Sequence, residues 1–419
     1  MENILIVGGG ASGVAAALSM RALNPNCRIT LCEKRNRLGG MADSRVNAAG
    51  EEYNYGVQGV HESFEYSLQL VKLAREEDRT LRAPLPAVLS AQFVTADGTW
   101  NTENKTLNIN AGDIQAFQDL CVEAGWAEDV YGLVDIQEAC EDNDINPKLL
   151  RSAIIPTLAL FFGTGQQQAH VPAAIAAQVF GAGDSPVQIF DLDLNSFITR
   201  KNNMLALPPL GPMYRAILNV LRRHNIDVQL NCHHLPNFNK YDKVLLCTQA
   251  EDAIRLLPPG HKAIAVLAHA RYYDDVTVTH NDSDYMQETF GATDQFNYYM
   301  KNQDTMGFAL HKYQGLNSGP LYQTIFLNTK EVPSRFSTAP ADVWRQTVCS
   351  VDHLENCATQ LKYVQGPHIY FAGSYTLVNS HEVAIMSGIR AAQLVLKTQE
   401  FPEVFGSKPN VAYQQFAQL

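Results

Sequence analysis

Three glycines close to the N-terminus have the spacing of a phosphate-binding turn. Gly8, Gly10 and Gly13 follow a short apolar run and precede an alanine-rich, helix-favouring stretch. In a strand–turn–helix with this G-x-G-x-x-G spacing, the first glycine permits the tight turn, the second lets the backbone approach a pyrophosphate, and the third lets the helix pack on the strand. The helix N-terminus then presents N–H groups and a positive dipole end to the phosphates. Ala11 and Ser12, which lie inside the motif, are predicted to contact the same group.

A carboxylate stands at the distance from this turn at which a ribose is bound. Residues 28–32 are predicted to form the second strand, and Glu33, 20 residues after Gly13, follows that strand directly. An acidic residue at this spacing accepts hydrogen bonds from the adenosine ribose of a dinucleotide. Because a carboxylate disfavours a 2′-phosphate, the pattern favours FAD or NAD over NADP.

The segment that begins at Glu33 resembles the Glu-x-x-x-Arg-x-Gly-Gly signature of the flavin-containing amine oxidase and phytoene desaturase superfamily. The resemblance implies a second phosphate cradle, built from backbone N–H groups of the glycine pair and the charge of the arginine. The residues that it assigns to the cofactor here are Lys34, Arg37, Gly39, Gly40 and Met41. Many members carry an arginine at the position of Met41, so one phosphate contact of the superfamily is absent.

Four further segments resemble the same superfamily. Residues 53–61 resemble the segment beside the flavin ring, and residues 241–248 resemble the strand that returns to the dinucleotide-binding domain. Residues 369–376 resemble the last strand, and residues 380–392 resemble the final helix, whose N-terminus faces the pyrimidine end of the ring. The cofactor contacts assigned in these segments and in the strand-like run before residue 241 are Gly56, Val57, Gln58, Val228, Gly373, Ser374, Glu382 and Val383. The last two segments contain no cysteine, which implies non-covalently bound FAD.

His381 is the candidate catalytic residue. The resemblance places it next to Glu382 and close to the flavin, where it is expected to hydrogen-bond the flavin or substrate, or to act as an acid or base. Capping of the final helix is the alternative role. Aromatic side chains between the cofactor segments are expected to shape an apolar substrate slot, with ordinary core packing as the alternative for each of them. The candidates for substrate contact are Tyr298, Tyr322 and Phe326.

Because the cofactor segments lie at both ends and in the middle of the chain, the dinucleotide-binding domain is expected to be discontinuous. The predicted fold class is α/β, with a Rossmann-like FAD-binding domain, an interleaved α+β substrate domain and the two-domain architecture of the amine oxidases. The FAD-binding domain is predicted from residues 1–75, 205–257 and 351–400, the substrate domain from residues 76–204 and 258–350, and a C-terminal tail from residues 401–419. Helices are predicted near residues 113–124 and 147–162, and strands at residues 263–270, 277–279 and 321–327.

Composition narrows the classes of partner. The 419 residues are 46% apolar and 18% charged, with a formal net charge of −11. A negative field of this size argues against nucleic acid or an anionic membrane surface as the main partner. The eight cysteines have neither zinc-site nor iron–sulfur spacing, so we expect reduced thiols and no metal. With no signal peptide and no transmembrane segment in the pattern, a soluble, cytoplasmic protein is expected.

The function implied by the resemblance is FAD-dependent oxidoreduction. Hydride is expected to pass from a C–H or C–N carbon of a fairly apolar small molecule to flavin N5, with O₂ or another compound as the electron acceptor. No second G-x-G-x-x-G motif is present for a nicotinamide. Two alternatives stay open: a redox-neutral double-bond isomerase similar to the polyenoic fatty acid isomerases, and a non-catalytic flavin-binding subunit. The substrate and the oligomeric state are left open.

Overall fold

The computed structural model describes residues 1–87, 90–103, 108–126, 132–163, 166–181, 192–194, 197–198, 204–291, 294–327 and 329–418. The strands are β1 Asn3–Val7, β2 Arg28–Cys32, β3 Ser44–Val46, β4 Glu52–Asn54, β5 Gly59–His61, β6 Leu85–Ala87, β7 Ala91–Thr95, β8 Gly98–Asn101, β9 Met204–Ala206, β10 Asp227–Gln229, β11 Lys243–Leu246, β12 Tyr272–His280, β13 Phe296–Met300, β14 Asp304–Ala309, β15 Tyr322–Phe326, β16 Ala341–Thr347 and β17 Ile369–Phe371. The α-helices span Ala11–Leu23, Glu65–Glu77, Ala111–Trp126, Ile136–Asp142, Pro147–Leu149, Ile155–Phe162, Ala173–Val179, Leu210–Arg223, Ala250–Leu256, Ala263–Leu267, Ser283–Phe290, Leu310–Tyr313, Val351–His353, Leu361–Val364, His381–Leu396 and Val411–Phe416.

A five-stranded parallel sheet with the order β10-β2-β1-β11-β17 forms one half of the molecule. Its central strand β1 is apolar on both faces, and Ile4, Leu5 and Ile6 are completely buried. A strand that is covered on both faces consists of consecutive apolar residues, which is why polar and apolar residues do not alternate in this segment. The strands come from inside the three segments predicted for the FAD-binding domain, while the domain boundaries themselves remain a prediction.

Two helices pack on this sheet at distances that only glycine allows. The first helix, Ala11–Leu23, lies against the final long helix, His381–Leu396. A Cβ atom at Gly388 of the final helix would clash with the carbonyl oxygen of Ser12. A Cβ atom at Gly13 would lie only 1.9 Å from the carbonyl oxygen of Gly8. The third glycine of the motif therefore sets the distance between helix and strand, as its spacing predicts.

A seven-stranded sheet with the order β16-β12-β15-β14-β13-β7-β8 forms the other half. Neighbouring strands are antiparallel except for the parallel pair β13 and β7. One face packs on the helix Ser283–Phe290 through Val278, Met286 and Phe326. The opposite face, which carries Thr277 and Ile325 in register, looks towards the first sheet. Side chains alternate between the two faces along each strand, so one strand serves both the core and the cavity.

The structure confirms some of the predicted elements and corrects one. Helices Ala111–Trp126 and Ile155–Phe162 lie where helices are expected, and β12 and β15 contain two of the predicted strands. The predicted strand at residues 263–270 is instead the helix Ala263–Leu267. Ala263 and Leu267, four residues apart, are both buried, so the apolar run has the helical period that a short segment conceals.

Candidate functional site

A cavity of about 810 Å³ lies between the two sheets. It begins at the carboxyl ends of the parallel strands, where Val7, Cys32 and Cys247 line it, and extends to the facing side of the seven-stranded sheet. Open parallel sheets bind ligands at this end, because the connecting turns and helix N-termini converge there. The volume lies within the usual range of ligand-binding cavities.

The two glycine motifs meet at the entrance to this cavity. Gly39 N donates a hydrogen bond to Gly9 O at 2.9 Å, and Gly10 pairs with Gly39 as an isolated β-bridge. A Cβ atom at Gly10 would have only Gly40 Cα, at 3.9 Å, as a neighbour. The space in front of Gly10 is therefore open, and its backbone faces the cavity from the N-terminus of the first helix. This cradle fits a pyrophosphate, so the residues present are compatible with FAD.

Glu33 is fixed at the end of β2 by backbone donors. Its Oε2 atom accepts a hydrogen bond from Gly9 N at 2.7 Å, and its Oε1 atom accepts one from Arg35 N at 2.8 Å. The side chain is 6% exposed and lines the cavity. Each carboxylate oxygen has a second acceptor site, so the geometry leaves capacity for ribose hydroxyls. The same carboxylate also ties the glycine turn to β2.

Arg37 has a different environment from the one predicted. It forms an ion pair with Asp43 at 2.6 Å and donates to the carbonyl oxygens of Leu38 and Gly40. It is not among the residues that line the cavity, whereas Lys34 and Arg35 are. Asp43 neutralises the guanidinium, and Arg37 stabilises the turn through its two carbonyl contacts. The charge that it is predicted to supply to the phosphates stays a prediction.

The segments predicted beside the flavin border the cavity from two sides. Ala11, Ser12, Met41, Gly56, Val57 and Gln58 line it, as do Gly373 and Ser374 after β17. A Cβ atom at Gly56 would clash with the carbonyl oxygen of Met41, so the two chain segments touch. Gly373 N donates to Ser387 Oγ at 2.9 Å, which ties the last strand to the final helix. These residues surround a continuous space next to the glycine turn.

Val228, Glu382 and Val383 do not line the cavity. Val228 lies on the edge strand β10, and Val383 packs in the core of the first half. Glu382 accepts hydrogen bonds from Tyr66 N at 2.9 Å and Ser67 N at 2.7 Å. The carboxylate therefore caps the helix Glu65–Glu77. The final helix turns the side chains of Glu382 and Val383 into the protein, and Val228 lies at the edge of the sheet, so none of the three side chains reaches the cavity. Their contact with the cofactor stays a prediction.

His381 borders the cavity, but both of its ring nitrogens are engaged by protein side chains. Nδ1 is hydrogen-bonded to Ser67 Oγ at 3.0 Å, and Nε2 is hydrogen-bonded to Tyr214 OH at 2.8 Å. Burial lowers the pKa of the imidazole to about 4, so the ring is neutral at physiological pH. The residue thus joins three helices. Both nitrogens are thus used to hold these helices together, an arrangement that favours a structural role over the predicted role as an acid or base.

The aromatic residues predicted to contact substrate lie outside the cavity lining. Tyr322 and Phe326 point to the opposite face of the seven-stranded sheet and pack against the helix Ser283–Phe290. Tyr298 is fully buried beside Phe93 of the neighbouring strand β7. The structure therefore places none of the three at the cavity. Phe326 is one position along the strand from Ile325, which lines the cavity, and a step of one position reverses the face of the sheet.

The side chains that do line the sheet wall are mostly apolar. They are Phe296, Met306, Phe308, Ile325 and Trp344, joined by Phe162, Tyr55 and Tyr313 from neighbouring segments. The rings of Tyr55 and Trp344 are 5.0 Å apart. The sequence predicts only that side chains alternate between the two faces of each strand. Which set faces the cavity depends on the register between strands, which the sequence does not give.

A small polar region interrupts this apolar wall. Asp275 and Trp344 are directly opposite each other on β12 and β16, and Thr277 lies two residues further along β12. All three are at least nine-tenths buried. Within the described part of the chain, Trp344 Nε1 and Thr277 Oγ1 have no hydrogen-bond partner. Sequence reasoning missed these residues, because they carry no motif and adjoin the cavity only through strand pairing.

The cysteines are unpaired thiols, as predicted: all eight are free. Cys32, Cys232 and Cys247 line the dinucleotide end of the cavity, and the other five lie elsewhere. Burial raises the pKa of the Cys247 thiol well above its ordinary value. Among the residues that the structure describes, no cluster of acidic, histidine and cysteine side chains is suited to a metal ion.

Comparison with known proteins identifies the N-terminal segment and the overall architecture. Residues 6–76 match the model of the NAD(P)-binding Rossmann-like domain. A search of curated protein sequences gives no match. Three solved structures have the same architecture. One is a protein assigned as a protoporphyrinogen oxidase from Exiguobacterium sp. 255-15, with 14% identity and a TM-score of 0.66. The others are cyclohexylamine oxidase from Brevibacterium oxydans IH-35A (13% identity, TM-score 0.63) and a fatty acid isomerase from P. acnes that produces CLA (13% identity, TM-score 0.64). Each alignment covers 94–95% of this chain and 98–99% of the other.

Residues 6–76 therefore have the sequence character of a Rossmann-like domain of the NAD(P)-binding type. As a whole, the chain shares its fold with these three solved structures. In the part of the chain that the structure describes, no helix combines the length and the apolar character needed to cross a bilayer.

Proposed function

We propose that this chain is an FAD-dependent oxidoreductase that removes hydride from a C–H or C–N carbon of a fairly apolar small molecule. The observation that carries the proposal is the continuity of one cavity. It runs from the glycine cradle and Glu33 at one end to the apolar wall around Phe308 at the other. The similar structures include two named as oxidases, which supports this kind of chemistry.

The proposed division of labour follows from the positions of the side chains. The turn Gly8–Gly13 and Glu33 would hold the adenosine and pyrophosphate half of FAD, and the segments at Val57 and Gly373 would hold the ring. A bound flavin would supply the hydride acceptor, because its chemistry does not need a protein nucleophile. The apolar wall would exclude water and orient the substrate. His381 would stabilise the helices around this space without exchanging protons.

The experiment that tests the function is anaerobic mixing of the FAD-loaded protein with pools of metabolites, followed by flavin absorbance. Lasting bleaching that is reversed by air supports oxidoreduction. Product formation without net bleaching would favour a redox-neutral isomerase, such as the fatty acid isomerase that shares the fold. A protein that binds FAD and responds to no pool would favour the non-catalytic subunit, and failure to bind FAD would contradict the whole proposal.

Substitution of Ile325 tests the location of the substrate end. Ile325→Trp adds volume on the cavity face of β15, so we expect KM for an identified substrate to rise about tenfold or more. FAD content should be unchanged, because Ile325 belongs to the seven-stranded sheet and not to the parallel sheet that carries the glycine turn. The matched control is Tyr322→Phe on the same strand, whose side chain lies on the opposite face and should leave KM unchanged. Equal effects of the two substitutions would place the substrate elsewhere.

A further inference from the structure

Two thiols lie together at the dinucleotide end of the cavity. Cys32 is the last residue of β2, and Cys232 follows the neighbouring strand β10. The side chains of Cys32 and Cys232 interact with each other. Cys32 Sγ also donates to Gln229 Oε1 at 3.6 Å, and Cys232 Sγ donates to His234 O at 3.6 Å. Both residues line the cavity, and Cys232 is the one free cysteine of the eight that is partly exposed. The pair is thus accessible to a small solute from the cavity, through Cys232.

Backbone contacts connect this pair to the proposed ribose site. Cys232 N donates to Glu33 O at 2.9 Å, and Asn231 N donates to Arg35 O at 2.9 Å. Glu33 in turn accepts the hydrogen bond of Gly9 N in the glycine turn. A displacement of the segment at Cys232 would therefore be transmitted to the carboxylate and to the turn within one or two hydrogen bonds.

We propose that a peroxide closes Cys32 and Cys232 into a reversible disulfide, and that this bond weakens dinucleotide binding. The regulatory half of the proposal rests on the proposed binding of FAD, whereas the covalent half does not. A disulfide holds its two sulfur atoms about 2 Å apart, much closer than hydrogen-bonded thiols. Closing the bond would draw the end of β2 towards the segment after β10, and Glu33 is the next residue in the chain.

The chemistry balances with a peroxide as the only co-reactant. The Cys232 thiolate attacks one peroxide oxygen, the O–O bond breaks, and the second oxygen leaves as water after taking a proton, which gives a sulfenic acid. The Cys32 sulfur then attacks the sulfenic sulfur, and the departing hydroxide takes the Cys32 proton as water. Two thiols lose two electrons and two protons, and hydrogen peroxide becomes two waters.

The order of attack follows from exposure. Burial raises the pKa of the Cys32 thiol to about 12, so this residue has little thiolate and does not react first. Cys232 is the partly exposed partner, and Cys32 would react as the resolving thiol because the two side chains interact. The remaining cysteines provide a comparison. Cys121 and Cys140 also neighbour each other, but both are buried and neither lines the cavity.

The test treats the full-length, FAD-loaded protein with hydrogen peroxide, blocks the remaining thiols and digests the chain for mass spectrometry. The expected product is a peptide pair linked through Cys32 and Cys232 that dithiothreitol separates, with no pair linked through Cys121 and Cys140. FAD affinity, measured by ultrafiltration and flavin fluorescence, should fall about tenfold in the oxidised protein, the value of one lost hydrogen bond. Dithiothreitol should restore it.

Two variants complete the design. Cys232→Ser should abolish both the linked peptide and the loss of FAD, while Cys121→Ser should respond as the parent protein does. The linked peptide is measured in the unsubstituted protein, so the result does not depend on whether a variant folds. Absence of the linked peptide, or a linked protein with unchanged FAD affinity, would overturn the proposal. A reduced protein without FAD affinity contradicts the proposed function instead, and the linked peptide is still scored separately.

Discussion

Gly13→Ala should lower the free energy of unfolding by about 3 kcal/mol or more, a large effect for one added methyl group. The new Cβ atom would stand 1.9 Å from the carbonyl oxygen of Gly8, the residue that directly follows the central strand β1. Relief of this clash requires the first helix to move away from the sheet. The same movement would separate Ser12 from Gly388, where the two helices touch. The loss should be visible in the absence of FAD.

Gly10→Ala is the matched variant, because the same added methyl meets open space there. Gly10 has φ −71° and ψ −175°, a conformation that alanine adopts without strain. We expect the stability of the FAD-free protein to change by less than about 0.5 kcal/mol. FAD affinity should fall about 10- to 200-fold, the usual penalty for one carbon at a tight binding surface.

Urea unfolding of both FAD-free variants, together with FAD titration of each, separates the two roles. A stable Gly13→Ala protein would show that the helix and strand are less closely packed than the structure indicates. An unchanged FAD affinity in Gly10→Ala would show that no pyrophosphate lies against this turn, and it would remove the main support for the proposed function.

A second large effect is expected from the pH dependence of Glu382→Gln. Burial raises the pKa of the Glu382 carboxyl from 4.5 to about 7 in the folded chain, and Glu65 adds to the rise. Between these values the folded state holds a proton that the unfolded state has lost. The free energy of unfolding contributed by Glu382 therefore falls as pH rises from 4.5 to 7, by about 3 kcal/mol in total. Glutamine cannot titrate, so the variant lacks this pH-dependent contribution to the free energy of unfolding.

The neighbouring His381 has the opposite effect on the pH dependence of the free energy of unfolding. Its pKa is lowered from 6.5 to about 4, so the unfolded state gains a proton first, and stability is lost as pH falls through this window. Between pH 4.5 and 6.5 in the parent protein, the contribution of Glu382 to the free energy of unfolding falls with rising pH while that of His381 increases, so the two effects partly cancel. Glu382→Gln should expose the loss of stability towards acid, and His381→Gln should expose the loss towards neutral pH.

The measurement is urea unfolding at pH 4.5, 5.5, 6.5 and 7.5 for the parent and the two variants. Differences between the variants and the parent remove the contributions of other titrating groups. Three parallel curves would show that neither side chain is held in the protonation state that its burial implies.

The residues that could be predicted from sequence are those whose roles are local. The glycine turn and Glu33 are read from one strand–turn–helix, in which spacing along the chain determines geometry. The roles of Arg37 and Glu382 could not be read in this way. Arg37 is neutralised by Asp43, and Glu382 is used by a helix that begins more than 300 residues earlier. A motif therefore shows which segment lies near the proposed ligand. Tertiary contacts determine which side chains of that segment face the cavity.

The proposed substrate end of the cavity shows a second limit of prediction from sequence. Phe326 and Ile325 are both apolar and adjacent, and only the register with Val276 and Thr277 on β12 decides which one reaches the cavity. Register depends on pairing between distant segments, for which a single sequence holds no direct signal. The same reasoning explains why the contact between Cys32 and Cys232 was not anticipated, since it arises from the pairing of β2 with β10.

The order of strands in the five-stranded sheet has a consequence for synthesis of the chain. The backbone N–H group of Asn3 at the start of β1 donates to Asp242, 239 residues later, and β17 completes the sheet only at Ile369–Phe371. At about 5 to 20 residues per second, a ribosome needs on the order of 20 to 70 seconds between β1 and β17. Throughout that time an apolar strand with an unpaired edge is exposed to other nascent chains. Binding of the proposed cofactor would thus come at the end of translation, and the extent to which chaperones protect the unfinished sheet before then should limit the yield of folded protein.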